Sequence, residues 1–276
     1  MHSALFPVFA QASTSMPMQM HGYINGPITP MLAYTMSCVG SALGLSAMSR
    51  ARATEGPARW RWLVFGALSI GGTGIWVMHF IAMLGYDISG VRITYDLAVT
   101  IISMVIAVLV VGIGLAVATY GRATPRALVG GGTFTGLGVA GMHYMGISAM
   151  RMPAGVHYQP FIVLASVVIA IVAATAALWA AMNIRGLAAT VGASLIMGIA
   201  VTGMHYTGMA AMSVYANPLA AADGLSADQL LEPMIGGISL VTIVLLFVVG
   251  LSATERDIIE QAEIRADLQK LADRHR

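Results

Sequence analysis

Charge is what this sequence has least of: Asp, Glu, Lys and Arg together make up only 9% of its 276 residues. A water-soluble chain needs roughly a quarter of its residues charged to cover its surface, so an ordinary soluble domain is excluded. Cysteine is almost as scarce. Cys38 stands alone, which rules out an intrachain disulfide and leaves it the expected part of a small packing residue in the first helix. Residues 1–28 lack a basic start followed by an unbroken apolar core, so they do not read as a cleavable signal peptide.

In place of charge the chain has long apolar stretches. Seven runs without Asp, Glu, Lys or Arg, approximately 29–49, 62–83, 97–118, 127–150, 161–182, 187–212 and 235–253, are each long enough to span a bilayer. Their mixture of Leu, Ile, Val, Ala and Met with Gly and Ser suits helices rather than barrel strands. The expected fold is therefore all-α and polytopic, with seven transmembrane helices over residues 29–253. Residues 1–28 form a leading tail and residues 254–276 begin a polar helix. The few charges set the orientation. With the N-terminus outside, Arg50, Arg52, Arg59, Arg61, Arg122, Arg126, Arg185 and the basic residues after Thr254 fall inside. Of the 14 Lys and Arg, only Arg92 and Arg151 fall outside. That asymmetry predicts a periplasmic N-terminus and a cytoplasmic C-terminus in a bacterial inner membrane.

Three stretches repeat one another: Met78-His79-Phe80, Met142-His143-Tyr144 and Met204-His205-Tyr206. Their histidines are 64 and 62 residues apart, and a motif returning at a fixed period marks an internal repeat. Gly72, Gly136 and Gly198 each precede the motif Met by six residues, so the repeated object is a glycine-rich helix ending in Met-His-aromatic. Seven helices then resolve into three helical hairpins plus an output helix. Each motif closes an even-numbered helix, so all three histidines reach the same membrane face. Matched small residues let the backbones pack closely in lipid.

Residues four apart on a helix differ by roughly 40° around its axis, and residues seven apart by roughly 20°. His205, Met209 and Met212 are thus expected on one face, His79 and Met83 on another with Tyr86 next in line, and His143 with Met150 on a third. Imidazole in hydrocarbon is costly unless it is hydrogen-bonded or bound to metal. Imidazole with thioether, and without Cys, Asp or Glu in the motifs, favours copper over zinc. Haem, with His and Met as axial ligands, is a second possibility, though close-packed helices leave it little room. A lone membrane histidine would be read as a packing residue; three at matched positions favour a shared site. Tyr144 and Tyr206 either border that site or belong to the interfacial aromatic belt. In the tail, Met16, Met18, Met20 and His21 are either a weak metal-catching segment or a plain leader. Ile264, Leu268, Leu271 and His275 follow a coiled-coil spacing, which hints at a homodimer.

The triplicated motif, spelled in full at Met204-His205-Tyr206-Thr207, resembles that of the MHYT family of bacterial integral membrane sensors over roughly residues 22–253. The resemblance implies a copper site near the periplasmic face, formed by the motif residues Met78, His79, Met142, His143, Met204 and His205 with neighbouring thioethers. It implies detection of a diatomic gas such as oxygen, carbon monoxide or nitric oxide. It further implies a cytoplasmic partner module that makes or breaks cyclic di-GMP. No such module lies within these 276 residues, and the chain itself is not expected to be an enzyme. The bilayer is the expected surrounding, and nucleic acid is not among the expected partners. Two rival readings remain: a copper or other metal transporter or chaperone-like membrane metal-binding protein, and a copper-dependent membrane enzyme. The second lacks an acid–base group within any motif.

Overall fold

The computed structural model describes residues 20–23, 26–88, 91–216 and 224–252, with positions 257, 260, 261, 263–265 and 268–270 beyond them. Met16 and Met18 of the leading tail, and Leu271 and His275 of the expected seam, lie outside the described residues.

Helix α1 spans Ile28–Ala53. A second rod, Gly56–Leu84, is made of α2 (Gly56–Ala67), a π-helical segment (Leu68–Val77) and α3 (Met78–Leu84). Then follow α4 (Leu97–Tyr120), α5 (Pro125–Ser148), α6 (Pro160–Asn183), α7 (Leu187–Ala210) and α8 (Ala227–Leu251). The starts are written locally. Asp96 caps α4 by accepting from the Val99 N–H at 3.1 Å. Thr124 caps α5 ahead of Pro125, and Pro160 opens α6. Ser226 and Gln229 form a reciprocal capping box at α8. Each cap satisfies amides that a helix start leaves unpaired.

The six rods before α8 close into a ring in which each packs on the next and α7 returns to α1. Helix α8 lies outside it, against α1 and the π-helical segment. Small residues set the closest crossings. A Cβ on Gly40 would stand 2.3 Å from the Gly74 amide nitrogen, and one on Gly136 would stand 2.4 Å from Ile171 Cα. At the ring closure a Cβ on Gly198 would lie 2.5 Å from Cys38 Sγ, so Cys38 packs against α7, in keeping with its expected role. The ring is three hairpins, α1 with the second rod, α4 with α5, and α6 with α7, each ending in a motif at the same end of the bundle.

Large apolar side chains cover the outside. On α4, Ile101, Val105, Leu109, Ile113 and Val117 are exposed four residues apart, and Phe161 is 85% exposed. Stripes of this kind have no place in water and suit hydrocarbon. Among the described residues, five rods are long and apolar enough to cross a membrane: α1, Gly56–Leu84, α4, α6 and α7. Helix α5, of the same length as α4, falls short because it is rich in glycine. Helix α8 carries Pro233 inside it, and its apolar part is the shorter stretch Leu240–Leu251.

An all-helical reading omits the strands that cap the motif end. β1 (Met20–Tyr23) pairs with β2 (Tyr86–Ile88). β3 (Thr94–Tyr95) lies between β4 (Met150–Arg151) and β7 (Leu225–Ser226). β5 (Ala154–Tyr158) pairs antiparallel with β6 (Met212–Ala216), from Ala154 opposite Ala216 to Tyr158 opposite Met212. The loops between hairpins are thereby knitted together, and Arg151 Nη2 donates to Asp96 Oδ2 at 2.8 Å across two of them. Arg151, followed by the Val99 N–H, holds the Asp96 carboxyl below its ordinary range.

The opposite end is tied by arginine. Arg50, 7% exposed, donates to the carbonyls of Ser46 at 2.9 Å and Val249 at 2.6 Å, and its guanidinium lies 5.4 Å from the centre of the Trp62 ring. It binds the last turn of α8 to α1. Arg52 donates to the carbonyls of Ala181 and Ile184, at the end of α6.

Candidate metal centre

Each motif histidine sits in the last turn but one of its helix: α3 ends at Leu84, α5 at Ser148 and α7 at Ala210, each five residues past its histidine. Matched depth on three ring-packed rods puts the rings at one level. His79, His143 and His205 are 1%, 0% and 1% exposed. All three pairs of ring centroids are 5.0 Å apart, with interplanar angles of 71°, 79° and 90°. His79 Nδ1 lies 3.0 Å from His205 Nδ1 and 3.2 Å from His143 Nδ1. None of the three Nε2 atoms has a hydrogen-bonding partner among the described residues.

Proton counting shows what this trio lacks. A neutral imidazole has one N–H and one lone pair. His79 Nδ1 faces two other Nδ1 atoms. It can accept from one of them or share a single proton with both, but it cannot form two full hydrogen bonds. Whichever tautomers are chosen, three buried Nε2 atoms stay unpaired, at about 1–3 kcal/mol each. A single cation would take all three Nδ1 lone pairs at once. Nitrogen–metal bonds of about 2.0–2.1 Å at tetrahedral angles place nitrogens about 3.4 Å apart, close to the observed separations. His79, His143 and His205 are the one group of His, Cys, Asp or Glu among the described residues with ligand atoms converging in this way. The donors fit a metal ion. Three neutral nitrogens with no carboxylate in the group favour a cation of low charge, since burying charge without a counter-ion is costly.

In the second and third repeats, the glycine three residues after the histidine makes room for the histidine of the repeat before. A Cβ on Gly146 would lie 2.1 Å from His79 Nε2, and one on Gly208 would lie 2.2 Å from His143 Nε2. The rings of the first and second repeats therefore rest on the bare helix backbone of the second and third. With Nε2 pressed outward, Nδ1 is left to face the centre. The matching position in the first repeat is Ala82, 1% exposed.

The thioethers expected near the site are all interior. Met78, Met83, Met142, Met150, Met204, Met209 and Met212 are each no more than 7% exposed. Two of them are not where helical geometry would put them. Helix α5 ends at Ser148 and α7 at Ala210, so Met150 and Met212 lie in strands β4 and β6, and the seven-residue helical face does not apply to them. Tyr86 likewise stands in β2, past the end of α3. Met78 packs with Ala33 and Ala82, apart from the main core that holds the other six.

The aromatic neighbours flank the trio. Phe80, Tyr144 and Tyr206 each stand edge-on to their own histidine at 5.0, 4.9 and 4.9 Å. The Tyr144 hydroxyl is 2.6 Å from Ser166 Oγ of α6, and its ring meets Tyr158 edge-on at 5.7 Å. Tyr144 thus braces α5 against α6. Tyr95, which motif reading did not single out, donates its hydroxyl to the Met83 carbonyl at 3.0 Å, closing the end of α3. Burial raises the phenol pKa of Tyr95 and, with help from Tyr144, that of Tyr158, so both stay protonated.

Comparison with known proteins agrees with this repeat structure. Residues 72–131 and 136–194 match the MHYT family, described as "Bacterial signalling protein N terminal repeat". These windows hold His79 and His143, whereas His205 lies beyond them and joins the trio through the fold. The chain is 32% identical over 199 residues to the bifunctional diguanylate cyclase/cyclic di-GMP phosphodiesterase MucR of Pseudomonas aeruginosa, covering 70% of this chain and 29% of that protein. It is 33% identical over 193 residues to the cyclic di-GMP phosphodiesterase NbdA of the same species, covering 67% and 24%. It is 28% identical over 196 residues to the signaling protein YkoW of Bacillus subtilis, again covering 67% and 24%. The chain therefore spans less than a third of these relatives. No solved structure matches it.

Proposed function

This chain belongs to the MHYT family of bacterial signalling proteins, and from that premise we propose that it is a membrane sensing unit that holds one copper ion between the Nδ1 atoms of His79, His143 and His205. The observation that carries this reading is the convergence of those three buried atoms, with His79 Nδ1 at 3.0 and 3.2 Å from the other two, in a group that contains no carboxylate. Imidazole donors in a soft, thioether-rich and uncharged surrounding favour Cu(I) over zinc, magnesium or calcium. Met83 and Met209, one helical turn after His79 and His205, with Met150 and Met212 at the starts of β4 and β6, are the buried thioethers that would complete its coordination. Tyr144 and Tyr206 border it. Bound copper would supply a soft centre able to take up a diatomic gas or change oxidation state.

The chain's own part is mechanical. Each imidazole rides on a different hairpin, so a change in ring spacing is also a change in how three rods pack. The π-helical segment below His79 touches α8, and Arg50 ties the far end of α8 to α1. Those contacts support α8 as the route to an output partner, of the diguanylate cyclase or phosphodiesterase kind named in the relatives. Seven spans, a periplasmic motif end and a cytoplasmic C-terminus complete the reading, supported by the placement of Lys and Arg. Elemental analysis of the purified protein against the His79→Ala/His143→Ala/His205→Ala variant tests it. One copper per wild-type chain and none in the variant is expected; equal copper in both refutes it. Copper uptake into sealed proteoliposomes would mark a transporter instead.

A further inference from the structure

Beneath the imidazoles the bundle is not filled. A cavity of about 80 Å³ lies among the π-helical segment, α4, α5, α6 and α7. Its lining repeats with the hairpins. Ile75, Val139 and Val201 all line it, and each stands four residues before a motif histidine, one helical turn or about 6 Å below the ring-bearing residue. Thr135 and Met197, a further turn down on α5 and α7, line it as well. The cavity therefore lies about one helical turn below the trio and touches all three rods that carry a motif histidine.

Its walls are apolar apart from Thr135, whose hydroxyl is already donated to the Val110 carbonyl at 3.3 Å. Water needs two to four polar partners to stay in such a space, and apolar cavities of this kind remain dry and take up xenon or small hydrocarbons. The way in faces the hydrocarbon side. Ile196 of α7 belongs to the lining and is 69% exposed, and Ala176 of α6 is also exposed.

We propose that this cavity is a binding site for an apolar molecule of two or three heavy atoms, dioxygen-sized, taken up from the bilayer between α6 and α7 and held about one helical turn below the imidazole trio. The volume matches one such molecule and excludes haem, a quinone ring or a lipid headgroup. That the trio reads the bound molecule rests on the metal-centre proposal; that the molecule binds does not.

Xenon is the probe, applied to the full chain in lipid nanodiscs with methyl-labelled Ile and Val, in metal-free and copper-loaded forms. Saturable xenon-induced shifts of the Ile75, Val139 and Val201 methyls are expected in both forms, while lipid-facing Val168 shows only a linear drift. Ala174→Leu on α6 adds about three carbons, enough to fill the space, and lies on a helix without a motif histidine. It should abolish the saturable shifts and leave copper content unchanged. Absence of saturable shifts in the wild type overturns the proposal, even if Ala174→Leu fails to fold, and leaves the metal reading standing. Magnetisation transfer from lipid acyl chains to the Val139 and Val201 methyls would also overturn it, by showing the space already taken by lipid. Saturable xenon binding in a protein that never takes up copper would refute the metal centre and keep the cavity.

Discussion

The first repeat and the other two reach the same ring of imidazoles by different means. In α5 and α7 the chain runs as regular α-helix up to the motif. In the first repeat, Leu68–Val77 is wound as π-helix before α3 begins. The third residue after the histidine is Gly146 or Gly208 in the later repeats and Ala82 in the first. The aromatic after the histidine is Tyr144 or Tyr206 in the later repeats and Phe80 in the first. Wider π-helical turns change where side chains point along a rod, and they concentrate at functional sites. The first hairpin is also the one whose second rod touches α8. Repetition thus builds the ring, and departure from repetition marks the side on which α8 packs.

Removing one imidazole should break the likeness among repeats most severely. His143→Ala is expected to lower copper affinity by at least 100-fold with the fold retained, read by competition with a Cu(I) chelator and by thermal melting. His79→Ala and His205→Ala should match it within a few-fold if the three share one ion. One histidine whose loss left affinity intact would show the site to be a pair.

Next come the glycines under the rings. Gly146→Ala and Gly208→Ala put a methyl 2.1 and 2.2 Å from Nε2 of His79 and His143. Each should cost about 1–3 kcal/mol of stability by overpacking and weaken metal binding. Ala82→Gly in the first repeat should cost no more than about 1 kcal/mol, as a glycine within a helix does. Thermal melts of the three proteins in one detergent compare them directly, and equal effects at all three sites would deny the asymmetry.

The aromatics give a smaller contrast. Phe80 is fully buried between Trp76 and Tyr95. Phe80→Tyr brings in a hydroxyl and should destabilise by about 1–3 kcal/mol if no acceptor is found. Tyr144→Phe loses one bond to Ser166 and should cost about 1 kcal/mol.

Smallest is the strand cap. Asp96→Asn should lower the melting temperature slightly at neutral pH. The folded Asp96 carboxyl is held below its ordinary value of 3.8, so its contribution is present above that pH and is lost as the pH falls through the lower folded value. The gap between wild type and Asp96→Asn should close in that acid range, and a gap that widened there would reverse the sign.

Triplication made the trio legible from sequence. Met-His-aromatic at periods of 64 and 62, each behind a glycine-rich apolar run, is enough to predict three matched helix ends meeting at one level. The ends themselves were not legible. Ala149 and Ala211 stand at the C-caps of α5 and α7 with no glycine or proline to signal a stop, so Met150 and Met212 read as helical when they are strand residues. Strands of two to five residues get their register from partners far along the chain, and no local alternation announces them. The π-helical winding also has no propensity signature. The His-x-x-Gly spacing at His143 and Gly146, and at His205 and Gly208, was in plain view, but its meaning depends on which neighbour fills the gap. Arg50 reads as a topology signal in sequence, and only the packed structure shows it buried on the last turn of α8.

X-ray absorption at the metal edge of the purified, copper-loaded protein tests the central claim most directly. Three imidazole scatterers at about 2.0 Å around one copper per chain, with thioether sulfur as the only other candidate neighbour, is the predicted result. A copper with one imidazole or none, or the same spectrum from the variant lacking all three histidines, would contradict it.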